Sequence, residues 1–177
     1  MSWTRELRKR QAEYPNEIFV RFVARHWYDE PDRMKIDFLD LGSGAGANSN
    51  YLDEQGFNVV AVDSSRAANA DLYCPIEKLE FPEGRFDCIL DHNTLCHIEN
   101  PPLDKIRDWL KPNGIFFSMC PTAYTWRGHL MGKGFCRMLT HDQALNFYKG
   151  FSELRIAHSE YPDRGNQITS WVVEGSK

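Results

Sequence analysis

The sequence predicts an α/β fold in which helices cover both faces of a mostly parallel sheet. Short apolar runs typical of buried strands alternate along the chain with segments whose apolar residues have helical spacing. A glycine-rich turn at 42–46 directly follows the first predicted strand. The 177 residues, of which 42% are hydrophobic, suffice for one domain with its own core.

The predicted helices and strands alternate from the N-terminus to the last two strands. They are a helix over 16–27, a strand over 36–41, a helix from the glycine turn to about 55, strands over 59–63 and 88–90, a helix over 103–110, a strand over 115–119, a helix from 140 to about 149, and strands near 151–159 and 167–174. Thr140 and Gln143 have the spacing of a capping box. Pro162, Gly165 and Asn166 predict a hairpin, which would add one antiparallel strand at the sheet edge.

Ligands of such sheets bind at the carboxyl ends of the strands, where the glycine turn, Asp63 and Asp91 are expected. Glycines let the backbone turn sharply and approach a ligand, and the following helix offers free amides. Asp63 ends the next strand, where a carboxylate can accept hydrogen bonds from both hydroxyls of a ribose.

The glycines alone leave two kinds of ligand open, because Gly42, Gly44 and Ala47 also fit the dinucleotide pattern. Asp40 precedes the first glycine by two residues. An anion there is unfavourable beside a pyrophosphate but favourable beside the ammonium group of an amino acid. No Lys or Arg between 36 and 66 offsets this acid.

The charge is unevenly distributed along the chain. Residues 36–126 carry 6 basic and 14 acidic side chains, whereas each end of the chain carries a net charge of +2. The acidic middle argues against a nucleic-acid groove and suits a cationic ligand.

The five cysteines are odd in number and lack CxxC spacing, which favours a reducing compartment. The N-terminus has no apolar segment of a signal peptide, and the apolar runs are too short to cross a bilayer, so a cytoplasmic location without membrane partners is expected. His92, Cys96 and His97 suggest metal ligands, but no second cluster in the sequence completes a set. No metal is therefore expected.

Five motifs in order resemble the class I S-adenosylmethionine-dependent methyltransferases, in particular the small-molecule, type 11-like branch. The run 40–46 (DLGSGAG) resembles their first motif, Asp63 their ribose-binding acid, 79–87 (LEFPEGRFD) the approach to the fourth strand, 95–98 (LCHI) the motif after it, and 110–114 (LKPNG) the turn into the fifth. The likeness is good over about 36–120 and rests on element order elsewhere. It implies a Rossmann-like doubly wound sheet of seven mostly parallel strands with the last strand antiparallel.

The resemblance implies that S-adenosylmethionine is the cofactor and S-adenosylhomocysteine the product. The cofactor residues that it implies are Asp40, Gly42, Ser43, Gly44, Gly46, Asp63 and Ser64. Asp91 would hold the methionine amino group, with capping of the next helix as the alternative.

The adenine contact is left open by the sequence. Only 22 residues separate Asp63 from Phe86, so the second helix and third strand must be short. Where the family often has an acid that meets adenine, this chain has Pro75. Asp71, Glu77 or the amide of Ile76 could take that role.

Catalytic and acceptor-binding residues are predicted after the fourth and fifth strands. His97 and His92 are candidate general bases, with hydrogen-bonded wall residues as the alternative. The segment 121–139 is long for a connection and is predicted to be a substrate lid, with ordinary packing as the alternative. It carries basic and no acidic side chains, which predicts an acceptor with a carboxylate or phosphate unless these residues only keep a loop soluble. The lid residues expected to contact acceptor are Tyr124, Trp126, Arg127, His129 and Arg137.

We therefore expect one methyltransferase domain over 1–177, with N-terminal helices in 1–34. The expected reaction is in-line transfer of a methyl group to a small molecule, driven mainly by alignment. The alternatives are an NAD-dependent oxidoreductase, a non-catalytic S-adenosylmethionine-binding partner subunit and an RNA methyltransferase.

Overall fold

The computed structural model describes residues 14–124, 135–163 and 166–177, without side chains at 161–163 and 166–168. Its centre is a sheet of seven strands in the order β3-β2-β1-β4-β5-β7-β6. The strands are β1 (Asp37–Leu41), β2 (Asn58–Asp63), β3 (Leu72–Tyr73), β4 (Phe86–His92), β5 (Leu110–Pro121), β6 (Ser152–Asp163) and β7 (Asn166–Ser176).

Strand β7 runs opposite to the other six, because β1–β5 pair in parallel and β7 pairs antiparallel with both β5 and β6. The predicted seven-stranded, mostly parallel sheet is confirmed. The expectation that the antiparallel strand lies at the edge is wrong, since β6 is the edge strand and β7 lies between β5 and β6. Burial explains the order: Trp171, Val172 and Val173 of β7 are all buried, whereas β6 has no buried side chain among its described residues.

Helices cover both faces of the sheet, as predicted. Helices α1 (Glu17–Trp27) and α2 (Ala47–Glu54) pack on one face, and α3 (Leu103–Trp109) and α4 (His141–Phe147) on the other. The N-cap residue of helix α1 is Asn16, whose side chain accepts hydrogen bonds from the amides of Ile18 and Phe19. On α4 the capping box of Thr140 and Gln143 is confirmed. Of the predicted N-terminal helices in 1–34, residues 1–13 lie outside the described residues.

Two connections differ from regular βαβ units. The predicted turn at 112–114 is an outward bulge within β5, since Phe86 pairs with Leu110 but Cys88 pairs with Ile115. Between β2 and β3 the chain forms no α-helix, and β3 has two residues, so the expected shortening is confirmed. Among the described residues, no helix combines the length and the apolar character needed to cross a bilayer.

Candidate cofactor and active site

The glycine turn follows β1 and packs against the carboxyl ends of the neighbouring strands β2 and β4. The amide of Gly42 donates to the carbonyl of Val62 on β2 at 2.7 Å. Gly42 has φ +77°, and a Cβ there would lie 2.1 Å from Oγ1 of Thr94, which follows β4. Only glycine therefore lets the turn lie this close to both neighbouring strands.

Carboxylates lie at the ends of the same three strands. Asp40 on β1 is 2% exposed. Burial, and after it the charges of Asp91 on β4 and Asp63 on β2, raise the pKa of its carboxyl to about 7, while a hydrogen bond from Ser49 opposes this shift. The charges of Asp63 and Asp91 thus disfavour ionisation of Asp40, and a cationic ligand beside Asp40 would relieve that repulsion.

Asp63 is held in position by two main-chain amides. Its Oδ2 accepts from the amide of Gly44 at 3.0 Å, and its Oδ1 accepts from that of Ser65 at 2.7 Å. Each carboxylate oxygen can accept a second hydrogen bond, so this geometry is compatible with the predicted ribose contact. Beside it, Ser43 Oγ donates to the carbonyl of Asn69 at 2.7 Å, and Ser64 is exposed. The third glycine, Gly46, packs against Asn69.

Asp91 is fully buried, and the protein itself supplies three hydrogen bonds to its carboxylate. Its Oδ1 accepts from the amides of Thr94 and Leu95, both at 3.0 Å, and its Oδ2 accepts from Ser118 Oγ at 2.6 Å. Burial raises the pKa of this carboxyl to about 6, against the effect of those hydrogen bonds. The N-cap of the 3-10 helix Leu95–His97 is Thr94 and not Asp91, but the Asp91 carboxylate binds the amides of that N-cap residue and of the first helical residue, so it supports the start of this helix. A contact with the methionine amino group stays a prediction.

The three candidate adenine contacts differ in the hydrogen bonds that they already make within the protein. Asp71 Oδ2 accepts from the amide of Ala61 at 2.8 Å, so this carboxylate satisfies the edge of β2. Ile76 is buried and begins the 3-10 helix Ile76–Lys78, while Glu77 is exposed. The first amides of a helix have no partner within it, which favours the Ile76 amide among the three.

The two histidines present different ring nitrogens. The main-chain amide of Asn16 donates to Asn48 Oδ1 at 3.1 Å, which orients Asn48 Nδ2 to donate to His92 Nδ1 at 3.3 Å. His92 therefore carries its proton on Nε2, and burial lowers its pKa to about 4. His97 donates from Nδ1 to the carbonyl of Phe135 at 2.9 Å, so its Nε2 holds the lone pair when the ring is neutral.

The two ends of the predicted lid, residues 121–139, are hydrogen-bonded to each other beside the sheet. The amide of Leu139 donates to the carbonyl of Pro121, and the amide of Ala123 donates to the carbonyl of Leu139 at 2.8 Å. The segment between them therefore starts and ends beside the carboxyl end of β5. Tyr124 at its start is 72% exposed. Trp126, Arg127 and His129 lie outside the described residues.

Arg137 has a structural role that the sequence did not predict. Its guanidinium donates to the carbonyls of Ile98 at 2.9 Å and Glu99 at 2.5 Å, and it lies 4.7 Å from the ring centre of Phe147. These contacts hold the end of the lid segment against the chain after β4. A contact between Arg137 and acceptor stays a prediction.

Sequence reasoning missed the residues that support the site from behind. Thr94 packs on the glycine turn, Asn48 orients His92, and Asn93 has φ +59° at the end of β4. Asn93 carried a weak signal, because Asn tolerates left-handed backbone better than most residues. The partners of Thr94 and Asn48 are distant in the sequence, so the contacts themselves had no local signature.

A family model described as a methyltransferase domain matches residues 7–174. The chain belongs to this family, within the class I S-adenosylmethionine-dependent methyltransferases. This favours the methyltransferase reading of the glycine turn over the dinucleotide one.

Two characterised relatives are similar over part of the chain. Phosphoethanolamine N-methyltransferase 3 of Arabidopsis thaliana is 31% identical over 94 residues, covering 43% of this chain and 19% of the relative. A ubiquinone biosynthesis O-methyltransferase of Rickettsia typhi is 29% identical over 115 residues, covering 56% and 45%. The matches thus span less than half the length of these relatives.

Solved structures share the fold across most of the chain. A Methanosarcina mazei S-adenosylmethionine-dependent methyltransferase superposes with a TM-score of 0.69 at 15% identity, covering 93% of this chain and 98% of that one. The Burkholderia thailandensis 1,6-didemethyltoxoflavin-N1-methyltransferase, solved with 1,6-didemethyltoxoflavin and S-adenosylhomocysteine, gives 0.59 at 20% identity, covering 90% and 86%. At these identities the likeness establishes the fold alone.

Proposed function

We propose that this protein binds S-adenosylmethionine at the carboxyl ends of β1, β2 and β4 and transfers its methyl group to a small anionic acceptor. The observation that carries the proposal is the group of three carboxylates, Asp40, Asp63 and Asp91, around the glycine turn. Among the ion pairs of the described residues, none includes any of the three. A ligand with an ammonium and a sulfonium group fits this charge.

The residues around the turn match the parts of that cofactor. Asp63 would accept from the ribose hydroxyls, the Ile76 amide would meet adenine, and Asp40 would favour the ammonium group. When bound, the cofactor supplies an electrophilic methyl group for in-line attack. The protein would contribute mainly by holding the acceptor in line and by excluding water with the segment 121–139. Where the acceptor must lose a proton, His97 Nε2 has the lone pair to take it.

Two observations support a small anionic acceptor. The segment 121–139 carries Arg127, His129, Lys133 and Arg137 and no acid, beside a sheet whose ends are acidic. A guanidinium can bind a carboxylate or phosphate with two parallel hydrogen bonds. The related enzymes are named for small acceptors, phosphoethanolamine among them. Tyr124 and Trp126 would cover the body of such an acceptor.

Cofactor binding tests the core of this proposal. S-adenosylhomocysteine should raise the melting temperature, because a ligand that binds only the native state stabilises it. Asp63→Ala should weaken binding by on the order of 1.5–3 kcal/mol for each charge-assisted hydrogen bond lost. Asp63→Asn keeps the shape of the side chain but loses the charge, and Asp53→Ala, an exposed acid on α2, is the matched control. A response to NAD with none to S-adenosylhomocysteine would refute the proposal.

Turnover separates the remaining alternatives. A panel of small carboxylates and phosphate esters, followed by release of S-adenosylhomocysteine, should identify an acceptor. A partner subunit without activity would bind the cofactor but release no product with any compound. An RNA methyltransferase would instead bind RNA with an affinity that falls steeply with salt.

A further inference from the structure

Three side chains with soft ligand atoms meet beside the active site. Cys96 and His97 lie in the 3-10 helix after β4, and Cys136 lies at the end of the lid segment. Their ligand atoms, two sulfurs and a ring nitrogen, all lie within 4.8 Å of one another. Tetrahedral zinc, with bonds of ~2.3 Å to sulfur and ~2.1 Å to nitrogen, needs its ligands about 3.5–4 Å apart. Small side-chain movements would therefore suffice to bring these three atoms around a metal ion.

Two hydrogen bonds to main-chain carbonyls hold the two segments together independently of any metal. The amide of Arg137 donates to the carbonyl of Cys96 at 2.6 Å. His97 donates from Nδ1 to the carbonyl of Phe135 at 2.9 Å. Because this bond engages Nδ1, the ring nitrogen left to coordinate an ion is Nε2, and a metal-bound histidine commonly donates its other ring N–H to a backbone carbonyl in this way. The cluster is thus preorganised from both sides.

We propose that Cys96, His97 and Cys136 form a site for a thiophilic divalent cation, with Zn²⁺ as the expected ion. Two thiolates and an imidazole favour zinc and disfavour Mg²⁺ or Ca²⁺, which prefer oxygen ligands. The two thiolates balance the charge of the ion. Three protein ligands leave a fourth position for water or another donor. This site goes beyond the proposed methyl transfer and does not depend on it.

The bound ion would tie the end of the segment 121–139 to the chain after β4. It would also exclude another role for His97, because a nitrogen that coordinates a metal cannot accept a proton from the acceptor. The zinc-bound and metal-free forms would therefore differ in any reaction that needs this base. Metal occupancy would act on the acceptor side of the site rather than on the glycine turn.

Metal binding by the purified, reduced, chelator-treated protein tests the site directly. The protein should bind one Zn²⁺ per chain in competition with a chromophoric indicator, and Co²⁺ should give a thiolate-to-metal charge-transfer absorption. Cys96→Ser, Cys136→Ser and His97→Ala should each weaken binding by more than ~100-fold, the upper end of what losing a second-shell partner costs. Cys74→Ser is the matched control for Cys136→Ser, since Cys74 is half-buried like Cys136 but lies outside the cluster. Mg²⁺ should not compete.

Two results would overturn the site: no stoichiometric Zn²⁺ uptake by the reduced protein, or uptake that survives all three substitutions. A cooperative melting transition, measured on every variant with and without S-adenosylhomocysteine, verifies folding independently of the response to that ligand. That response also separates failure of the metal site from failure of the proposed function.

Discussion

Asp40 combines a buried carboxyl with two neighbouring acids, which makes it the residue most sensitive to pH in the cofactor site. Its pKa rises from a reference of 3.8 to about 7, with burial as the largest cause. The folded protein therefore binds this proton more tightly than the unfolded chain does. The contribution of Asp40 to stability is fully present below about pH 4 and is lost as the pH rises toward about 7.

Asp40→Asn should remove that pH dependence. Without ligand, the parent should lose more unfolding free energy than the variant between about pH 4 and about pH 8, by at most ~4 kcal/mol from the three-unit shift. Urea unfolding at both pH values measures this difference. Equal changes in parent and variant would mean that Asp40 is not the group that titrates.

His97 and His92 are expected to contribute differently to catalysis. If His97 is the general base, His97→Ala in the metal-free protein should lower turnover by roughly 10²–10⁴-fold with cofactor affinity nearly unchanged. His92→Ala should have a smaller effect, because Nδ1 of His92 already accepts a hydrogen bond from Asn48. Single-turnover rates and cofactor titration check both variants. Unaltered turnover in both would leave alignment as the whole mechanism, with an acceptor that is already deprotonated.

Among the elements, the glycine turn between β1 and α2 has the strictest requirements. Gly42 has a left-handed backbone and lies against Thr94. Any side chain at Gly42 would therefore cause both backbone strain and overpacking. Gly56, after α2, shares the backbone strain but not the overpacking: its φ is +86°, and a Cβ there would meet nothing within 4 Å.

This pair separates backbone strain from close packing. Gly56→Ala should lower the free energy of unfolding by roughly 1–2 kcal/mol, the cost of left-handed backbone. Gly42→Ala should cost about 1–3 kcal/mol more, because the added methyl group overpacks against Thr94. Denaturant unfolding without ligand measures both. Equal losses would show that Thr94 yields freely and that the turn is not tightly packed.

Along the whole chain, the acidic ends of the strands are followed by the segment 121–139, whose charged side chains are all basic. This arrangement suits a cationic cofactor on one side and an anionic acceptor on the other. Arg137 is the one predicted acceptor-binding arginine in the described part of the chain, and its guanidinium also binds the carbonyls of Ile98 and Glu99. A kinetic test must therefore separate acceptor binding from support of the fold.

Arg127→Ala and Arg137→Ala should raise KM for the acceptor, with little change in affinity for S-adenosylmethionine. Lys149→Ala, an exposed base after α4, is the control for loss of one positive charge. Steady-state kinetics with each substrate varied in turn gives both constants. Unchanged KM in both arginine variants would indicate a neutral acceptor. A lower melting temperature without a change in KM would leave Arg137 a purely structural role.

The sequence determined those features that depend on neighbouring residues. Apolar periodicity predicted the strands and helices, and glycine and the Thr140 capping box predicted two of the connections, because backbone preference and capping act within a few residues. The order of Asp40, the glycines and Asp63 predicted where the acidic ends of β1 and β2 meet. The short interval after Asp63 likewise predicted a shortened third strand, and β3 has two residues.

Only the tertiary structure decided which distant groups became partners. The tertiary structure places β7 between β5 and β6 and brings Cys136 next to Cys96 and His97. It also pairs Asp91 with the amide of Leu95, and Arg137 with a main-chain carbonyl after β4. Each of these depends on buried area and unsatisfied hydrogen-bonding groups in segments far apart along the chain. Such groups find their partners only when the sheet has assembled, so no local pattern records them.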